Sequence, residues 1–134
     1  KTALVASIGD DGFGKFILNR LEVEKVGTDF LKVTPKSSTS AIFISRTDGT
    51  PEFVPFRAAD FQIEEGQIQK ETLSNTKVFH TTCFALSREP ARSTILKKAE
   101  EAFHAGCQLS IDVNYARKLW ENREAAVEAI ESYC

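Results

Sequence analysis

Leu4-Val5-Ala6-Ser7-Ile8-Gly9-Asp10-Asp11-Gly12 is a short apolar run stopped by glycines and acids. It reads as a buried strand that ends in a tight turn. Phe13, Phe16, Ile17, Leu21 and Val23/Val26 then recur at near-helical spacing, Gly12 and Gly14 allow the turn, and Gly27 is placed as a helix stop. The chain therefore opens on a strand-turn-helix unit. The same alternation returns after residue 76, where residues 77–82 predict a strand. Ser87 with Pro90 opens a helix through Ile95, Leu96, Ala99, Ala102 and Phe103, and Gly106 closes it. Residues 108–113 predict another strand, and Leu119 to Tyr133 another helix.

The intervening stretch has a different texture. Phe30-Leu31-Lys32-Val33-Thr34, Ser40-Ala41-Ile42-Phe43-Ile44-Ser45 and Glu52-Phe53-Val54-Pro55-Phe56 are rich in β-branched and aromatic residues, and Asp48-Gly49 lies between the second and third. Three short strands in an antiparallel patch are expected, with a hairpin at Thr47-Asp48-Gly49-Thr50. A polar stretch of low periodicity follows Asp60. The order βα, βββ, βαβα predicts an α/β fold with a parallel sheet covered on both faces and the patch off its edge.

Of 134 residues, 42% are hydrophobic and 27% charged, a composition that suits one globular domain or part of one. The 17 basic and 19 acidic side chains are dispersed and leave a net charge of −2, so nucleic acid is a poor partner. No apolar stretch approaches the roughly 20 residues that cross a bilayer, and no signal-peptide pattern opens the chain, so no membrane partner is expected and the location is expected to be cytoplasmic. Cys83, Cys107 and Cys134 lack CxxC or Cys/His spacing, which suggests reduced thiols rather than disulfides or zinc. The chain has no methionine, begins in a strand and ends on a helical apolar face. A segment of a larger domain is expected, the alternative being a small complete domain with a processed start.

In an open parallel sheet, ligands bind beyond the carboxyl ends of the strands. The residues there are Gly9-Asp10-Asp11, Thr82-Cys83-Phe84 and Asp112-Val113-Asn114-Tyr115. Asp112 and Asn114 offer a carboxylate and an amide suited to orienting metal-bound water near phosphates; Asp and Asn are equally common turn formers. Gly9, Gly12 and Gly14 form GxxGxG rather than the dinucleotide GxGxxG, and two acids beside them would repel a pyrophosphate. His80 and His104 have no nucleophile at a telling spacing and read as structural. Arg57 follows an apolar strand and either reaches an anionic or hydroxyl-rich ligand or is a solvated edge residue.

Taken in order, these segments resemble the ribokinase-like (PfkB) carbohydrate kinases. Residues 6–14 with Val26-Gly27-Thr28-Asp29 are similar to "GxDxxG…GVDT", residues 39–44 to the "TxxAxV" lid strand, and residues 53–60 to "FxFYRxxAAD" of the fructokinase and 2-keto-3-deoxygluconate kinase branches. Asp112-Val113-Asn114-Tyr115 with Leu119-Trp120 is similar to "DxNYRxxLW". The resemblance implies a three-layer α/β sandwich carrying a small β lid, with the core starting over residues 1–27, the lid at 28–57 and the core resuming over 58–134. It implies ATP and Mg²⁺ as cofactors, a sugar such as fructose or 2-keto-3-deoxygluconate as acceptor, and a homodimer formed through the lid. Alternatives are an inactive sugar-binding or regulatory protein on this scaffold, or a nucleoside kinase.

By position, the resemblance places Ala41, Phe43, Phe56, Arg57, Thr82 and Cys83 at the sugar, and Asp112, Asn114 and Arg117 near the phosphates and Mg²⁺, with no direct metal ligand. Two departures stand out: Ala116 occupies the place of the branch's Arg, and Arg117 that of the acid in "NxxE". The "GG…N" sugar element and the "GAGD" element with its Asp base are not within these 134 residues, so no catalytic residue is expected in them.

Overall fold

The computed structural model describes residues 2–46, 49 and 51–134. They form two compact units, Lys1–Gln62 and Ile63–Cys134.

In the first unit, β1 (Ala6–Gly9) leads through a turn into α1 (Gly12–Val23) and returns in β2 (Leu31–Thr34). β1 and β2 pair in parallel, from Ala6 opposite Leu31 to Gly9 opposite Thr34. Ser7, Ile8 and Thr34 are buried along this pair. Asp11 caps α1, its carboxylate accepting the Gly14 N–H at 2.9 Å. The helix ends earlier than the Gly27 signal predicts: Lys25 takes the left-handed conformation at φ 56° just past Glu24, and Gly27 instead bridges Ala3 in parallel. A lysine there accepts a backbone cost that glycine would avoid. Phe13 and Phe16 project outward, each 69% exposed, so the apolar stripe of α1 is largely uncovered within this chain.

The expected three-stranded patch is corrected to two strands. The strand at residues 31–34 joins β1 in parallel, and the antiparallel pair consists of β3 (Ala41–Ser45) and β4 (Glu52–Phe56). Local residue preferences mark a strand without naming its partner. Thr47, Asp48 and Thr50 of the expected hairpin turn lie outside the described residues; Gly49 has φ 121°, a conformation suited to glycine. A 3₁₀ turn, Ala59–Phe61, packs on β1.

The second unit opens with a 3₁₀ turn, Glu65–Gln67, and a short helix, α2 (Lys70–Ser74), where the sequence reads as polar and aperiodic. β5 (Val78–Thr82) and β6 (Gln108–Asp112) pair in parallel, Val78 opposite Gln108 and Thr82 opposite Asp112. Between them runs α3 (Ala91–His104), which buries Ala91, Thr94, Ile95, Lys98, Ala99 and Ala102, a stripe with the helical period. Lys98 is accommodated by Glu101 at 2.9 Å, and that pairing holds the Glu101 carboxyl below its usual range. Ser87 does not cap α3: its hydroxyl bonds Phe84 O, and Pro90 takes the cap position without a side-chain bond. Gly106, at φ 89°, ends the helix as its sequence predicts.

The last helix, α4 (Arg123–Tyr133), starts four residues later than Leu119, because the Asn122 side chain accepts from Ala125 N at 2.7 Å and fixes the first turn there. Residues 117–119 form a separate 3₁₀ turn. α4 buries Ala126, Ala129 and Tyr133, whose hydroxyl lies 2.8 Å from Phe79 O and 3.0 Å from Ser110 O. Burial pushes the Tyr133 phenol pKa up. No helix among the described residues is long and apolar enough to cross a membrane.

Candidate functional site

The β3–β4 hairpin has two apolar faces. Its register sets Ala41 opposite Phe56 and Phe43 opposite Val54 on one face, and Ile42 opposite Pro55 and Ile44 opposite Phe53 on the other. Phe43 and Phe56 meet edge to face with ring centroids 5.3 Å apart, yet remain 61% and 59% exposed. Three of the predicted sugar-contact residues, Ala41, Phe43 and Phe56, are thus brought together on one open, apolar surface.

Two carboxylates hold the strand that enters this hairpin. Asp11 accepts the Thr39 N–H at 2.7 Å and the Thr39 hydroxyl at 2.8 Å, and the same hydroxyl oxygen accepts Gly9 N at 2.9 Å. These donors, led by the Thr39 N–H, hold the Asp11 carboxyl below its usual range. Close approach is possible because Gly9 lacks a side chain: a Cβ there would stand 2.5 Å from Thr39 N and 2.7 Å from Ser37 O. Asp60 supplies the second hold. It accepts the Ser40 hydroxyl through Oδ1, while Ser40 Oγ accepts Ala58 N at 2.8 Å and Asp60 N at 3.1 Å. Both legs of the hairpin are tied through one hydroxyl and one carboxylate.

Arg57 is neither a solvated edge residue nor extended toward solvent. Its side chain is 4% exposed, Nε donates to Asp60 Oδ2 at 2.7 Å, and Nη2 lies 2.5 Å from the same oxygen. The guanidinium carbon is 6.0 Å from the centre of the Phe61 ring. Asp11 was visible only as a strand-end acid, and Thr39, Ser40 and Asp60 only as members of the matched segments; their mutual hydrogen bonds escaped the sequence reading. The available signal was the three-residue spacing of Arg57 and Asp60.

In the second unit, Thr82 and Asp112 end adjacent parallel strands, as the crevice rule requires. Thr82 is half-buried and its hydroxyl accepts Ala85 N at 3.2 Å. Cys83 is 1% exposed, so its thiol belongs to the interior of this unit rather than to a ligand surface. Burial pushes the Cys83 thiol pKa up, the Trp120 indole N–H opposes that, and the Asp112 charge adds to it. Trp120 Nε1 is buried, and Arg92 stacks over its ring at 5.1 Å. Asp112, Asn114 and Arg117 are all exposed, and Asp112 Oδ1 accepts the Asn114 N–H at 3.1 Å. This turn leaves Asp112 Oδ2 and the Asn114 amide uncommitted to each other. Among the described residues, no group of three or more His, Cys, Asp or Glu could cage a metal ion. Asp112 and Asn114 instead fit an outer contact, through water, to a cation carried by phosphates.

The model of the pfkB family of carbohydrate kinases matches residues 1–134. Probable fructokinase-7 of Arabidopsis thaliana is 34% identical over 98% of this chain and 39% of its own length. An ATP-dependent 6-phosphofructokinase of Thermoanaerobacterium thermosaccharolyticum is 30% identical over 96% of this chain and 40% of its own length. The structure of Halothermothrix orenii fructokinase superimposes with a TM-score of 0.88 at 32% identity, over 98% of this chain and 47% of that one. The chain therefore spans about two fifths of the curated relatives it matches. With the ribokinase-like α/β architecture common to these structures and a match from end to end, the chain belongs to the pfkB family of carbohydrate kinases.

Proposed function

We propose that the protein carrying this chain is an ATP-dependent sugar kinase, and that the β3–β4 hairpin is its lid. The observation that carries this reading is the Ala41, Phe43, Val54, Phe56 face, apolar and mounted on a base fixed by Asp11 and Asp60. Such a surface covers the hydrocarbon side of a sugar and keeps water from the reacting phosphorus. A sugar hydroxyl oxygen attacks the γ-phosphorus of ATP and the bond to the bridging oxygen breaks. ADP leaves with that electron pair, and the hydroxyl proton passes to a carboxylate base, expected in a "GAGD" element outside these residues.

Asp112 and Asn114 would steady Mg²⁺ through its bound water, and Arg117 lies on the turn that follows them. When bound, Mg²⁺ would supply positive charge to offset that of the transferring phosphates. The opposite lid face, Ile42, Ile44 and Phe53, suits the lid of a second copy, giving a homodimer.

The test is ADP release by the full-length protein with ATP and Mg²⁺ over a panel of fructose, 2-keto-3-deoxygluconate and adenosine. Sugar-dependent ADP release is expected. Sugar binding without ADP release, or turnover of adenosine alone, would overturn the reading.

A further inference from the structure

The segment that enters the hairpin is gripped from two directions. Ser38 O accepts Ala59 N at 3.1 Å, and Ser40 Oγ accepts Ala58 N at 2.8 Å and Asp60 N at 3.1 Å, which ties the entering leg to the leg that leaves. Thr39, between those two serines, engages β1 and α1 instead. Its N–H donates to Asp11 Oδ2 at 2.7 Å, and its hydroxyl oxygen accepts Gly9 N at 2.9 Å. A hydroxyl has one hydrogen to give, and it goes to Asp11 Oδ1 at 2.8 Å rather than to Gly9 O at 3.5 Å. Gly9 is buried, so its N–H needs a partner, and this hydroxyl is it. The fit has no slack: a Cβ on Gly9 would stand 2.5 Å from Thr39 N, and one on Gly14 would stand 3.1 Å from Thr39 Oγ1.

The hairpin beyond this joint is not held by packing, since Ile42, Phe43, Ile44 and Phe56 are each at least half exposed. Bonds at its root set its angle instead. Phe43 follows Thr39 closely along the chain and meets Phe56 edge to face at 5.3 Å, so a shift of the root is felt at both rings. We propose that Thr39 is a positioning residue of the lid: its hydroxyl ties the entering leg to the end of β1 and so sets the height at which Phe43 and Phe56 meet the sugar. The proposal rests on the lid reading of the hairpin and adds the joint that holds it. Thr39 acts through the two rings and touches no reacting atom. Thr39→Val keeps the branched shape and the N–H to Asp11 but has no hydroxyl, whereas Thr39→Ser keeps the hydroxyl.

Steady-state kinetics of the full-length protein are measured with ATP and whichever of fructose and 2-keto-3-deoxygluconate turns over faster. Thr39→Val is expected to raise the sugar KM by about tenfold and to leave the ATP KM within about twofold, and Thr39→Ser to bring the sugar KM back near the wild-type value. A variant that is only less stable would lose active protein, which lowers the apparent kcat and leaves both KM values alone. A folded Thr39→Val protein with an unchanged sugar KM overturns the proposal, and so does a Thr39→Ser protein impaired as much as Thr39→Val. Hydrogen exchange of the wild type without sugar decides the matter even if Thr39→Val fails to fold. The Gly9 amide should be protected to within about tenfold of the Ile8 amide in β1, and free exchange at Gly9 overturns the proposal. A wild type that phosphorylates neither sugar overturns the kinase reading together with this one.

Discussion

Asp11 serves three donors with one carboxylate, Gly14 N, Thr39 N and the Thr39 hydroxyl, and in doing so joins the first turn of α1 to the strand entering the lid. Its pKa falls from the usual 3.8, chiefly through the Thr39 N–H, then the Gly14 N–H and the Thr39 hydroxyl. A carboxyl whose folded pKa lies below its unfolded one stabilises the fold at neutral pH. That contribution is lost as pH drops through the folded value. Asp11→Asn, which puts an amide N–H where an acceptor is needed, should therefore lower Tm at pH 7 by about 5 °C. The gap to wild type should narrow as the pH is taken from 7 to below 3.8 in a thermal melt of the full-length protein. An equal gap at both pH values would mean that shape, not charge, is what Asp11 contributes.

At the scale of elements, the turn between β1 and α1 is set by two glycines with different tasks. Gly9 makes room for Thr39 and Ser37, and Gly14 is buried where a Cβ would collide with the Gly9 carbonyl oxygen and stand 3.1 Å from Thr39 Oγ1. Backbone cannot move away from backbone cheaply, so Gly14→Ala should destabilise by about 3 kcal/mol, read as a shift of the urea midpoint; Gly12→Ala, whose Cβ meets nothing within 4 Å, should be nearly neutral. These glycines were legible in the sequence as a turn and helix start, and so were the strands at 78–82 and 108–112 and the stop at Gly106. Three features were not. The parallel partner of β2 depends on a strand 25 residues away, which local residue preference does not encode. The end of α1 at Lys25 uses a residue that carries no stop signal, and the start of α4 was obscured because the 3₁₀ turn at 117–119 continues the same apolar spacing. Within the candidate site, residue types that meet ligands were visible, but their pairing was not. Arg57 reads as available until Asp60 is seen to hold it, and Cys83 reads as a strand-end contact until its burial against Trp120 is known.

For the whole molecule, the hairpin poses a question of solvation, since a two-stranded ribbon with apolar side chains on both faces is unstable in water unless something covers it. Ile42, Ile44 and Phe53 are each at least half exposed, as are Phe43 and Phe56 on the opposite face. A sugar can shield only one face, and a second copy of the ribbon suits the other because β-branched and aromatic residues of matching size interdigitate. Isologous pairing would also make each lid's position depend on its partner. Ile44→Glu, placed in the middle of that face, should therefore break the proposed dimer of the full-length protein into monomers in analytical ultracentrifugation at micromolar concentration. The sugar KM should rise by about tenfold, while the ATP KM holds, because the proposed lid covers the sugar and not the nucleotide. A wild type that sediments as a monomer would remove the partner from this account. A variant that stays dimeric with Ile44→Glu in place would move the interface away from the lid, and the apolar outer face would then need another cover.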